Sequence, residues 1–162
     1  MSPNSEGRPT TSVLLIDGSQ RQRAYWVEQL KQASPNYQIV EASDGQSGLD
    51  LYRSRHIDCV VLEVALPDDS GFPTLIELVP IASKPQVPVI VLTQIPYPGI
   101  WEVAKENGAY ACFHKPRASG EDLDKAIQGA VAFVRQMPRE NRFRPAILPS
   151  ALIPIRSCDQ AV

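Results

Sequence analysis

A doubly wound α/β domain with a parallel sheet is the fold class that this sequence of 162 residues predicts. Short β-branched apolar runs without polar alternation are typical of strands buried on both faces. Segments with helical spacing of apolar residues separate these runs, as right-handed crossovers between parallel strands require. The runs also end on polar residues, which places chemistry at the sheet edge where such folds carry their sites.

Five strands are predicted, and four of them are apolar runs that stop on a polar residue with useful chemistry. The first run stops on Asp17, the third on Glu63, the fourth on Thr93 and the fifth on Lys115. Because parallel strands bring their carboxyl ends to one edge, we expect two acids, a hydroxyl and an ammonium group to converge. The strands are predicted at residues 13–16, 37–42, 60–62, 89–92 and 111–114.

Apolar periodicity and stop signals predict five helices between and after these strands. Pro73 suits the first turn of the third helix, because a proline there gives up no hydrogen bond, and the helix should reach about Ala82. Ser119 is the predicted N-cap of the last helix, whose inner stripe is Leu123, Ile127, Val131 and Val134. The helices are predicted at about residues 20–33, 46–53, 73–82 and 99–107, and from residue 120 onward.

The composition indicates an ordinary globular protein and excludes several function classes. Apolar residues make up 43%, charged residues 21%, and the net charge is −2, so bulk charge gives no reason to expect nucleic acid or an anionic membrane. No apolar stretch approaches the roughly 18 residues that span a bilayer, and the first residues are polar, unlike a signal peptide. We therefore expect a cytoplasmic protein. Three cysteines at unrelated spacings support neither a disulfide framework nor a zinc site.

The chain divides into three predicted parts. Residues 1–11 form a flexible leader, residues 12–137 the folded domain, and residues 138–162 a tail or linker that contains proline and arginine. From Arg135 onward there are five basic residues against two acids. Four prolines after residue 137 exclude a long helix there.

The ordered set of strand-end residues resembles the receiver domain of bacterial two-component response regulators. Further matches are Leu66 to Gly71 (LPDDSG) after the third strand, Lys115-Pro116, Glu41 to Gly45 and Asn107 to Ala109. The resemblance covers about residues 12–137. It implies a flavodoxin-like, CheY-like (βα)5 fold, a signalling module of a phosphorelay rather than an enzyme, and a sensor kinase or output protein as partner.

Two positions depart from the receiver pattern. Where the family has a second acid after the first strand this chain has Gly18, and where the family has its phosphoacceptor Asp this chain has Glu63. In the family, the acids hold Mg²⁺, the lysine pairs with the acyl phosphate and the threonine reports its arrival; Lys115 and Thr93 are retained here. The resemblance thus implies a weak or absent Mg²⁺ site formed by Asp17, Glu63 and the carbonyl of Ala65.

Glu63 is one methylene longer than Asp, so its carboxylate should reach toward Lys115, roughly where a phosphoryl group would lie. It can act as a built-in partial mimic of the active state, or it can simply form an ion pair with Lys115. The favoured function is an atypical receiver, or pseudo-receiver, independent of ordinary aspartyl phosphorylation. The alternative is a receiver phosphorylated at Glu63 or Asp68, and a weaker one is nucleic-acid binding through the basic tail.

Aromatic residues near the fourth helix and fifth strand predict a protein-binding surface. The resembling family uses the face of helix four, strand five and helix five for output, and Tyr97, Trp101 and Tyr110 lie on or near it. Tyr and Trp are common among binding hot spots. We therefore expect a partner or homodimer surface there, although Trp101 can instead pack beneath the loop around Pro96.

Overall fold

The computed structural model describes residues 9–138, and the first eight residues of the predicted leader and the tail from residue 139 lie outside it. The five strands are β1 Thr11–Ile16, β2 Tyr37–Ala42, β3 Cys59–Leu62, β4 Val89–Thr93 and β5 Ala111–His114. The five helices are α1 Gln20–Ala33, α2 Gly45–Ser54, α3 Gly71–Leu78, α4 Pro98–Glu106 and α5 Gly120–Gln136. The fold-class prediction, a five-stranded parallel sheet in a flavodoxin-like arrangement, is confirmed.

The strands pair in the order β2-β1-β3-β4-β5, and every pair is parallel. The strand order reverses between β1 and β3, which is the crevice where doubly wound sheets place ligands. In the register of this sheet, Ile16 lies opposite Leu62 and Thr93 lies opposite His114. The residues that follow these strands therefore emerge side by side at one edge.

Two apolar clusters cover the two faces of the sheet. Alternate residues of β1 point to opposite faces, so Leu14 packs with α2, α3 and α4 whereas Leu15 packs with α1 and α5. All four residues of β3 are completely buried. The central strands are thus rigidly enclosed, and only their ends are free to carry chemistry.

The structure corrects two details of the sequence reading. Helix α3 ends at Leu78 and not near Ala82, because Pro80 disfavours helical backbone at Val79, which adopts φ −127° and ψ 72°. Strand β5 was predicted to be buried on both faces, but it is the edge of the sheet and its four residues are half-buried. Cys112 in β5 is accordingly half-buried, and Cys59 in β3 is fully buried.

Helix α5 starts as the sequence predicts. The Ser119 hydroxyl accepts from the Asp122 amide at 3.1 Å, and the Asp122 carboxylate accepts from the Ser119 amide at 3.1 Å, a reciprocal capping box. Hydrogen bonds from the Ser119 side chain and amide hold the pKa of Asp122 below its usual value. The predicted inner stripe of this helix is buried along its whole length.

Residues 9–138 contain no helix that is long and apolar enough to cross a membrane.

Candidate functional site

The carboxyl edge of the sheet brings together the polar residues that follow β1, β3 and β5 and the polar residue that ends β4. Asp17, Glu63, Thr93 and Lys115 are all buried there, with at most 8% of their surface exposed. They lie below an open cavity of about 310 Å³ between the β1–α1 and β3–α3 loops. Residues 98 positions apart in sequence thus form one site.

Lys115 is the centre of this site and pairs with both acids. Its Nζ lies 2.5 Å from Asp17 Oδ2 and 2.9 Å from Glu63 Oε2. The three side chains are each about 5% exposed, so the pairs are shielded from solvent. Two carboxylates and one ammonium leave a formal charge of −1 in a buried site, which is stable only while hydrogen bonds satisfy the acids.

Backbone amides supply the remaining hydrogen bonds to Glu63. The Ala65 amide donates to Glu63 Oε1 at 2.8 Å, and the Gln94 amide donates to Oε2 at 3.1 Å. One carboxylate therefore joins the loop after β3, the loop after β4 and the lysine after β5. Such charge-assisted hydrogen bonds are stronger than neutral ones, so Glu63 fixes these three segments relative to each other.

Asp17 has a similar but more local set of partners. The Ser19 amide donates to its Oδ1 at 2.9 Å, while Lys115 occupies Oδ2. The Arg23 guanidinium donates to the Asp17 carbonyl at 2.6 Å and lies 3.4 Å from Glu41. Asp17 consequently anchors the turn that leads to Ser19, the N-cap of α1, and also pairs with Lys115.

Thr93 is completely buried at the end of β4. Its hydroxyl oxygen accepts from the Ile95 amide at 3.2 Å, which ties it to the following loop. No hydrogen bond joins Thr93 to Glu63 in the part of the chain that the structure describes. The threonine expected to contact a phosphoryl group is present, but its hydroxyl is hydrogen-bonded to the loop that follows it.

The residues present do not fit the Mg²⁺ site that the family implies. Mg²⁺ requires a near-octahedral set of oxygen ligands, and here each of the four carboxylate oxygens already accepts a hydrogen bond, two of them from an ammonium group. Gly18 contributes no side chain. Within residues 9–138, no group of three or more His, Cys, Asp or Glu is arranged to hold a metal ion.

Pro67 also restricts the space beside Gly18. A Cβ added at Gly18 would lie 2.6 Å from Pro67 Cδ and 3.0 Å from Pro67 Cγ. These distances are shorter than a normal contact between carbon atoms. An acid at this position therefore requires a shift of the β3–α3 loop as well as a new carboxylate.

Asp68, the alternative phosphoacceptor, lies outside this cluster, as do its neighbour Asp69 and the two histidines of the chain. Asp68 and Asp69 are exposed in the β3–α3 loop, and Asp68 accepts from the Ser70 hydroxyl at 2.6 Å. His56 is exposed and lies 3.0 Å from Asp58, and His114 is half-buried with its ring 3.2 Å from the Gln94 carbonyl.

The predicted interface residues lie apart from the ionic cluster and differ in exposure. Tyr97 is 66% exposed and Tyr110 is 41% exposed, whereas Trp101 is half-buried and its indole nitrogen is enclosed without a hydrogen-bond partner. The interface assignment stays a prediction. Its most accessible member is Tyr97.

Sequence reasoning missed four contributors to the site: the amides of Ala65 and Gln94, the guanidinium of Arg23 and the ring of Pro67. Gln94 could have been found, because it follows Thr93 directly at the edge where the acids meet. The other three depend on how the loops fold back, which has no periodic signal in the sequence.

The fold and the retained strand-end residues define a receiver-type module, and a family comparison agrees. Residues 13–128 match the response regulator receiver domain. The chain therefore belongs to the response regulator receiver family, whose members are signalling modules that interact with sensor kinases or output proteins.

Curated relatives carry this receiver in different contexts. The transcriptional regulatory protein PdtaR of Mycobacterium tuberculosis is 37% identical over 102 residues, which are 62% of this chain and 48% of that protein. The chain thus spans about half the length of PdtaR. The polar-differentiation response regulator DivK of Brucella abortus is 24% identical over 107 residues, 66% of this chain and 85% of that protein.

Solved structures show the same fold. A response regulator receiver domain from Clostridium thermocellum superposes with a TM-score of 0.68 at 24% identity and covers 77% of this chain and 97% of its own. The chemotaxis response regulator CheY4 of Vibrio cholerae gives a TM-score of 0.63 at 25% identity, with 75% and 98% covered.

Proposed function

We propose that this chain is a pseudo-receiver, a signalling module that acts by binding a protein partner and is not switched by aspartyl phosphorylation. The observation that carries this proposal is that the Glu63 carboxylate already has hydrogen-bond partners within the site. Its carboxylate takes hydrogen bonds from the Ala65 amide, the Gln94 amide and Lys115. In the family the lysine pairs with the acyl phosphate. Here Lys115 is already engaged with Glu63.

On this proposal, Glu63 holds the loops after β3 and β4 in one arrangement without any phosphoryl group. The amide of Gln94 lies at the start of the β4–α4 loop, so the Glu63 carboxylate anchors the segment that leads into α4. Glu63 is part of the chain and needs no phosphodonor, which makes the anchored state constitutive. We place the module in the cytoplasm with a protein partner or a second copy bound on the α4–β5–α5 face, and with Mg²⁺ bound weakly or not at all.

The alternative that a specific observation favours is phosphorylation at Asp68. This carboxylate is exposed in the β3–α3 loop and accessible to a phosphodonor. Against it, Asp68 is hydrogen-bonded to Ser70 and lacks the lysine that stabilises an acyl phosphate. The tail that would bind nucleic acid lies outside the described residues.

Incubation with acetyl phosphate and Mg²⁺, followed by intact mass spectrometry, tests the proposal. We expect the wild-type chain to stay unmodified because Lys115 is engaged and one metal ligand is missing. Stoichiometric addition of one phosphoryl group would overturn the proposal, and peptide mapping would then distinguish Glu63 from Asp68. Titration with Mg²⁺ alone, followed by amide NMR shifts, should show little change at Asp17 below about millimolar concentration.

A further inference from the structure

Two exposed aromatic rings flank a cavity at the amino edge of the sheet, far from the ionic cluster. Tyr110, before β5, and Phe133, in the last turns of α5, are 41% and 48% exposed, and their ring centroids lie 5.8 Å apart at 47°. The cavity beside them measures about 220 Å³, and Pro85, Pro88 and Lys105 contribute to its wall. We call this surface the Tyr110–Phe133 groove.

The chain itself contains a segment with matching chemistry. Residues 145–155 read PAILPSALIPI and contain three prolines, seven aliphatic residues and no charge. Covering an uncharged apolar segment of this kind with a protein surface is favourable, because apolar area is removed from water. Proline-containing segments in particular bind grooves lined by aromatic rings, because little conformational entropy is lost on binding.

The position of the groove makes it reachable for this segment. The described chain ends at Pro138, two residues beyond α5, and Phe133 lies only about 4.5 Å along the axis from the last residue of that helix. Residues 139–144 can span about 20 Å when extended. Residues 145–155 can therefore fold back onto the groove of their own chain.

A second cavity near the end of α5 is larger but has no exposed aromatic ring. It measures about 420 Å³ and lies between α5, β2 and the end of α1. Its lining residues Tyr37, Ile127 and Val131 are already at least 91% buried, and its exposed apolar residues, Pro9 and Ala132, are not aromatic, so it offers no exposed ring against which prolines can pack. Tyr110 and Phe133 still expose almost half of their surface, which favours the Tyr110–Phe133 groove.

We propose that residues 145–155 bind in cis to the Tyr110–Phe133 groove, with proline and aliphatic side chains against the two rings. Tyr110 also belongs to the surface predicted to bind a partner, so the bound segment would compete with that partner. The groove and the ionic cluster lie at opposite edges of the sheet. The inference is therefore independent of whether Glu63 or any other acid accepts a phosphoryl group.

NMR spectroscopy of the full chain tests this docking directly. We expect nuclear Overhauser contacts between the ring protons of Tyr110 and Phe133 and side chains of residues 145–155. The double variant Leu148→Ser/Ile153→Ser should lose these contacts and shift the amide signals of Lys105, Tyr110 and Phe133. Phe133→Ala should also release the segment, whereas Tyr25→Ala, which removes a similarly exposed ring on α1, should leave the remaining contacts unchanged.

A sample that mixes two differently labelled chains separates contacts within a chain from contacts between chains. Contacts seen only between chains would overturn the proposal in favour of a second copy as the occupant. Contacts to Tyr37 and Ile127 would overturn it in favour of the larger cavity. Amide signals of the groove that are identical in the full chain and in the Leu148→Ser/Ile153→Ser variant would show that the segment does not bind there.

Discussion

At the scale of single residues, Lys115 determines whether two buried acids are tolerated in the site. Asp17 and Glu63 are each about 5% exposed and lie on either side of its ammonium group. A buried ion pair adds little net stability compared with an apolar replacement of the whole set, but removal of one partner leaves uncompensated charge. The lysine thus stabilises the fold, whatever it contributes to signalling.

We predict that Lys115→Met lowers the free energy of unfolding by about 3–5 kcal/mol, because it leaves two like charges buried without a cation. Urea denaturation measures the change. Lys84→Met is the matched control: Lys84 is exposed, and its loss should cost at most about 0.5 kcal/mol. Adding Glu63→Gln to Lys115→Met should recover part of the loss. If both lysine variants have the same small effect, the ionic cluster is not important for stability.

A second residue-scale prediction concerns restoration of a phosphorylatable site. Gly18→Asp with Glu63→Asp rebuilds the carboxylate set of the family and withdraws the carboxylate from Lys115, so acetyl phosphate and Mg²⁺ should add one phosphoryl group. Intact mass spectrometry measures the product. The close approach of Pro67 means that some stability will be lost.

Gly18→Ala is the control for this restoration, since it introduces the contact with Pro67 without the acid. It should lower stability as the double variant does, yet remain unphosphorylated. If the double variant folds and still stays unmodified, the missing acids do not explain the loss of phosphotransfer.

The sequence was sufficient to predict which side chains meet at this site, but not how they bond. Strand ends identified Asp17, Glu63, Thr93 and Lys115, because the geometry of parallel sheets is independent of loop detail. The donors from Ala65 and Gln94 depend on the direction of single peptide groups in irregular loops. No periodicity in the sequence specifies that direction.

At the scale of elements, most boundaries follow from local signals, and the differences have tertiary causes. Helical spacing in α1 connects the apolar residues Ala24, Val27 and Leu30, yet Ala24 is exposed, whereas Trp26 is 1% exposed in the core. Trp26 packs in the cluster that α1 and α5 form against the sheet, and this choice of face depends on α5, which is distant in sequence. Helix spacing alone leaves two neighbouring faces possible.

The contact between β2 and α5 gives a prediction with a pH dependence. The Tyr37 hydroxyl donates to the Asp124 carboxylate, and burial together with this hydrogen bond raises the pKa of Tyr37 above its ordinary value of 10.0. The folded state therefore keeps the proton at pH values where the unfolded state loses it. The resulting stabilisation is complete below pH 10 and decreases as the pH rises above it.

We expect the free energy of unfolding of the wild-type chain to fall more steeply above pH 10 than that of Tyr37→Phe. At neutral pH the variant should be about 1 kcal/mol less stable, since it lacks one hydrogen bond. Chemical denaturation across this pH range measures both effects. Equal slopes for the two chains would show that Tyr37 titrates normally in the folded state.

At the scale of the whole molecule, the ionic cluster and the predicted partner surface share one loop. Glu63 holds the Gln94 amide, and three residues later Tyr97 immediately precedes α4. The Tyr97 ring is close to Gly99, where an added Cβ would lie 2.5 Å from it, so this small residue allows the ring to fold back over the helix start. A change at Glu63 can therefore reach the surface through a segment of only a few residues.

Tyr97 is the most suitable residue for testing that surface. Trp101 is half-buried, so truncating Trp101 would also disturb packing. We predict that Tyr97→Ala weakens self-association or partner binding by about 2 kcal/mol, close to 30-fold, while the free energy of unfolding is retained. Tyr25→Ala, which removes an exposed ring on the α1 side, should leave binding unchanged. Sedimentation over a range of concentrations, with urea denaturation in parallel, measures association and stability separately. Equal association by the two tyrosine variants and the wild type would place the interface elsewhere on the molecule. A fall in stability with Tyr97→Ala would instead assign that ring to the packing of the β4–α4 loop.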